Sequence, residues 1–90
     1  MRRGKNRAKM DASEIEVGKC YLVQIGRLSQ VRRVLQIMPD DRVLFDIRGA
    51  NARATYWRAG GLIDVSVFAR MAEREVPCDW TPDTSEPEPR

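Results

Sequence analysis

Turn-forming residues recur along this chain at short intervals, and no other feature limits its fold so tightly. Gly18, Gly26, Pro39-Asp40-Asp41, Gly49-Ala50-Asn51 and Gly60-Gly61 cut the middle of the sequence into short pieces rich in Val, Ile, Leu and aromatic residues. Pieces of that size and composition, bounded by glycine, proline and Asp or Asn, read as short strands joined by tight turns.

The pieces can be taken in order. Residues 19–25 alternate, with Cys20 and Leu22 on one side and Tyr21, Val23 and Ile25 on the other, before Gly26-Arg27 turns the chain. Within 28–38, Val31, Leu35 and Ile37 share one parity while Val34 and Met38 take the other, which predicts a long strand that bends or bulges. Directly after the Pro-Asp-Asp turn, Val43, Phe45 and Ile47 point inward and Leu44, Asp46 and Arg48 outward, the clearest strand pattern in the chain. Residues 53–58 read as a fourth strand through Thr55, Tyr56 and Trp57. Beyond the double glycine the period changes. Leu62, Val65, Phe68, Ala69 and Ala72 fall at spacings of three and four, which predicts a short amphipathic helix capped by Asp64 or Ser66. Residues 74–76 then return as a closing edge strand before Pro77. The expectation is a mainly β fold, a small SH3-like or Tudor-like barrel of four or five short antiparallel strands with one short helix.

Charge divides the chain differently. Of 90 residues, 16 are Lys or Arg, 13 are Asp or Glu and none is His, for a formal net charge of +3. The excess lies at one end, where Arg2, Arg3, Lys5, Arg7 and Lys9 stand without an acid among them. The other end is acidic and proline-rich, with Asp79, Asp83, Glu86 and Glu88 against Arg90. Neither end carries an apolar period that would offset chain entropy, so residues 1–13 and 77–90 are expected to be disordered tails around a barrel domain at 14–76. No apolar run approaches a membrane span, and the charged start is unlike a secretory signal, which makes the cytoplasm the expected location. Cys20 and Cys78 fall outside any zinc-ligand spacing. Cys20 is expected to be a reduced core residue, with a Cys20–Cys78 disulfide as the alternative. Trp80 either packs back on the barrel or anchors a partner, and packing back is the preferred reading.

Three runs carry a resemblance: Ile15-Glu16-Val17-Gly18-Lys19-Cys20-Tyr21, Val31-Arg32-Arg33-Val34-Leu35-Gln36-Ile37 and Asp41-Arg42-Val43-Leu44-Phe45, followed by the helical Val67-Phe68-Ala69-Arg70-Met71-Ala72. Together they resemble small SH3-like barrel proteins of bacteria and their mobile elements. The resemblance covers about two thirds of the chain and implies a fold and a bacterial or mobile-element setting. It implies no activity, because SH3-like barrels bind nucleic acids, peptides and other proteins alike.

The residue inventory argues against catalysis. Without histidine the commonest general base and metal ligand is missing, Asp40 and Asp41 sit in an ordinary turn, and Gly60-Gly61 lacks the context of a phosphate-binding loop. No enzyme activity, cofactor, metal or small-molecule substrate is expected. Binding is the better supported class, and two readings stand. In the first, an arginine-rich face of Arg32, Arg48, Arg53 and Arg58, with Tyr56 or Trp57 as a stacking platform, binds nucleic acid. The tail residues Arg2, Arg3, Lys5, Arg7 and Lys9 add phosphate contacts. In the second, the domain is an adaptor or inhibitor that docks on a larger protein, or on a second copy of itself through a strand edge. A contiguous basic patch would favour the first reading. An exposed apolar patch or a symmetric strand-edge homodimer would favour the second, while cross-strand Arg–carboxylate pairs, such as one made by Asp46, would neutralise much of the arginine face and weaken the first.

Overall fold

Residues 10–50 and 56–82 are described by a computed structural model of the chain. Gly26 opens a two-residue turn at φ 61°, which sets Ile25 opposite Leu28 and joins strand β1, Cys20–Ile25, to β2, Leu28–Ile37. The next turn places Asp41 at φ 67°, a left-handed conformation that Asp tolerates, and leads into β3, Arg42–Gly49. Strand β4 covers Arg58–Asp64, helix α1 Val65–Met71 and strand β5 Ala72–Val76. The five strands form one antiparallel sheet in the order β4-β3-β2-β1-β5. The mainly β fold with one short helix is therefore as expected. The sheet has two edges, because no ladder joins β4 to β5, and α1 connects these edge strands along the chain.

Both faces of the sheet are covered, which is why Cys20, Tyr21, Leu22 and Val23 are all buried despite their alternation. On one face Tyr21, Val34, Val43 and Phe45 pack beneath Phe68 and Ala69 of α1. Phe68 meets Tyr21 and Phe45 edge-on, at ring-centroid distances of 5.7 and 5.3 Å. The Tyr21 hydroxyl donates to the Glu14 carbonyl and accepts from the Glu16 amide, both at 2.9 Å, and so fixes the turn that precedes β1. A 3-10 turn at Ala12–Glu14, with a capping box from Asp11, brings Ile15 into this core. On the other face Cys20, Leu22, Val31, Ala50 and Val76 pack beneath Trp80.

Several expectations are corrected here. The bend of β2 is a bulge between Val34 and Gln36, as its mixed parity required. The fourth strand, however, is displaced from 53–58 to Arg58–Asp64 and runs through the double glycine. Gly60 lies under the Phe45 ring so closely that a Cβ there would stand 2.5 Å from two ring carbons, so this glycine serves close approach and not a turn. Residues 53–55 lie outside the described residues, and Tyr56 and Trp57 precede the strand. Cys20 is not a free thiol but is bonded to Cys78. With it, the segment after Pro77 is drawn onto the sheet, and Trp80 packs back at 7% exposure. Met10 and Ala12, ahead of the expected boundary at 14, pack against the first core, and Cys78 and Trp80, past 76, belong to the second.

Candidate docking surface

The arginines expected on one exposed face are divided between two faces, and two of them are internal. Arg48, on β3, is 4% exposed. Its Nε and Nη2 donate to the Cys78 carbonyl at 3.1 and 2.6 Å, its Nη2 also donates to the Trp80 carbonyl at 2.8 Å, and its Nη1 donates to the Gly49 carbonyl at 3.0 Å. Loss of hydration pushes its guanidinium below the usual arginine value, and nearby Asp79 partly offsets this. Arg32, on β2, faces the opposite way and is 8% exposed. It lies 4.8 Å over the Phe45 ring, with Nε 3.4 Å from Gln30 Oε1, and burial lowers its pKa as well. Both guanidiniums are thus largely enclosed by the fold, Arg48 by three carbonyls and Arg32 by the Phe45 ring, Gln30 and Met71.

Trp57 is half-buried between two cations, with Arg33 4.2 Å and Arg48 5.4 Å from its ring centroid. Arg33 in turn forms a two-pronged pair with Asp46, directly opposite on β3, at 3.2 and 2.7 Å. This is the cross-strand neutralisation that the acid content of the domain suggested. Among the expected contact residues, Arg58 and Tyr56 remain open to solvent. Arg58 stands opposite Ile47 in the ladder and therefore shares the face of Arg32, not that of Arg48. Arg2, Arg3, Lys5, Arg7, Lys9 and Arg53 lie outside the described residues.

Among the described residues the exposed large hydrophobics are Val17, Ile25, Leu28, Leu35, Tyr56 and Leu62, and two of them meet at the tip of the β1–β2 hairpin. Ile25 and Leu28 face each other across the turn at 43% and 69% exposure, with Arg27 between them. Fully burying a Leu or Ile side chain stabilises by about 1.5–3 kcal/mol, so a partner that covered this pair would gain from both. The reverse side of the same hairpin is polar. There Gln24 and Ser29, joined by a 2.7 Å hydrogen bond, line a cleft of about 410 Å³ with Leu22, Glu73, Arg74 and Trp80. The hairpin tip was not singled out from the sequence, although the alternation of 19–25 and the two-residue turn place Ile25 beside Leu28.

Among the described residues no group of three or more His, Cys, Asp or Glu side chains is placed to hold a metal ion, and no helix is long and apolar enough to cross a membrane. Compared with protein-family models, curated proteins and solved structures, the chain matches none of them.

Proposed function

We propose that this chain is a non-catalytic binding module that docks on a larger protein partner through the tip of its β1–β2 hairpin. The observation that carries this reading is the exposed pair Ile25 and Leu28, set beside Arg27 on a hairpin whose other side is a polar cleft. Burial of Arg32 and Arg48 supports it, because two of the four arginines expected to form the nucleic-acid face are internal. A regulatory or inhibitory adaptor of a bacterial or mobile-element system fits a module of this size.

Nucleic-acid binding remains the second reading, favoured by the exposed neighbours Tyr56 and Arg58 and by the five cations of residues 1–9. The two separate in one titration. Anisotropy of labelled duplex DNA, single-stranded DNA and RNA is followed against the full chain, a chain lacking residues 1–9, and Arg58→Ala, across a salt series. Protein docking expects binding that is absent or that disappears with residues 1–9. Tight binding that survives removal of the tail and falls with Arg58→Ala overturns it.

The Cys20–Cys78 bond bears on location, because disulfides persist in oxidising compartments and are rare in a reducing cytosol. Cytoplasmic residence, proposed from the sequence, requires this pair to be reduced there. Counting free thiols after equilibration with a cytosolic glutathione buffer decides it.

A further inference from the structure

We propose that the face of the sheet turned away from α1 packs on the same face of a second copy, through a row of three leucines that runs across β2, β3 and β4. The inference is independent of the hairpin tip. Strand β3 is regular, because the extra residues of the two register shifts beside it, Leu35 and Gly60, belong to β2 and β4. Arg42, Leu44 and Asp46 therefore all point away from Val43 and Phe45, which lie in the core beneath α1. Leu62 stands directly opposite Leu44 on β4, and the β2 bulge sets Leu35 and Gln36 together against Leu44 on its other side. Leu35 and Leu62 are 44% and 37% exposed, Leu44 is half-buried, and none of the three belongs to either core among the described residues. The segment that follows β5 packs on Leu22, Val31 and Ala50 of this face but not on the row.

The charges that flank the row fit a second copy. On β3 the row is bounded by Arg42 on one side and Asp46 on the other, and each carries its own ion-pair partner, Asp40 for Arg42 and Arg33 for Asp46. Two identical sheets stacked with their strands nearly aligned are related by a two-fold axis lying between them, directed either along the strands or across them. An axis along β3 sets Arg42 over Arg42 and Asp46 over Asp46. An axis along the leucine row turns β3 end for end. It then lays each leucine on its own counterpart and brings Arg42 of each copy over Asp46 of the other. Charge thus selects the second arrangement, in which the two ion pairs meet head to tail around an apolar centre. With three leucines from each copy the contact falls below the size class of obligate interfaces, so the dimer is weak and concentration-dependent.

Sedimentation of the disulfide-bonded full chain from low micromolar to millimolar concentration tests this. The wild type is expected to show a reversible monomer–dimer equilibrium. Leu35→Glu and Leu62→Glu are each expected to weaken it about tenfold or more, because each places two unpaired carboxylates in the contact, whereas Ile25→Ser at the hairpin tip leaves it unchanged. A near-ultraviolet spectrum of Trp57 and Trp80 confirms that each variant is folded. A short bis-maleimide reads the orientation. Leu35→Cys chains are expected to crosslink to one another, and Leu62→Cys chains likewise, while an axis along β3 would crosslink Leu35→Cys only to Leu62→Cys. A wild type that stays monomeric throughout, glutamate variants that dimerise like the wild type, loss of the dimer with Ile25→Ser, or crosslinking only between the two different cysteine variants would overturn the proposal.

Discussion

Arg48 Nη2 donates to the Trp80 carbonyl at 2.8 Å across the face of the sheet, so a cation next to the end of β3 holds the segment that follows β5. The same group also donates to the Cys78 carbonyl at 2.6 Å, the Trp80 contact buried and the Cys78 contact partly so. Arg48→Met keeps much of the packing volume but takes the guanidinium donors from three carbonyls, those of Cys78, Trp80 and Gly49. It is expected to cost about 2–3 kcal/mol in urea unfolding and to shift Trp80 emission to the red. Arg48→Lys should recover little, since an ammonium lacks the fork that reaches these carbonyls.

The disulfide secures the same segment covalently. Its sequence separation of 58 residues makes the crosslink worth about 4 kcal/mol in loop-closure entropy. Cys78→Ser is expected to lower the unfolding midpoint by a corresponding amount and to increase quenching of Trp80 by iodide. Reduction of the wild type should reproduce both effects, and unchanged stability would show that the bridge does not constrain the chain.

Tyr21 sets a limit at alkaline pH. It is 0% exposed, and burial raises its phenol above the usual tyrosine value near 10. The folded state thus holds the proton more tightly than the unfolded chain. This contribution to stability is complete below about pH 10 and is lost as pH climbs through the folded value. Lys19, raised by its hydrogen bond and charge contact with Glu16 and by the charge of Glu75, loses stabilisation in the same direction. The difference between wild type and Tyr21→Phe therefore isolates the phenol. Tyr21→Phe is expected to cost about 1–2 kcal/mol at neutral pH and to show a flatter decline above pH 10.

Gly60 and Phe45 should behave as a coupled pair. Gly60→Ala drives a methyl against the Phe45 ring and is expected to destabilise by about 1–3 kcal/mol. Adding Phe45→Leu should recover part of that loss, giving a non-additive double-mutant cycle. Simple additivity would show that the two do not touch.

Local patterns made most of the sheet legible. Alternation over Val43, Phe45 and Ile47, the mixed parity of β2 and the helical spacing of Phe68 and Ala69 each mark an element that the fold contains. What alternation does not reveal is what covers the outer face. Arg48 has outward parity yet is buried, because Trp80 and Cys78 arrive from the far end of the chain. The double glycine misled for a related reason. A turn glycine and a glycine beneath an aromatic ring look alike until Phe45 is placed across from it. The candidate site suffered most, since arginine type suggested a phosphate surface while three-dimensional burial assigned Arg32 and Arg48 to the interior.

Site-specific photocrosslinking in cells tests the central claim most directly. A photoreactive amino acid is placed at Leu28 in one variant and at Tyr56 in another, and the adducts are resolved by size with nuclease and protease controls. Docking through the hairpin tip is expected to give a discrete, protease-sensitive protein adduct from position 28, lost when Ile25→Ser is added. A nuclease-sensitive adduct from position 56, with none from position 28, would contradict the account and return the function to nucleic acid.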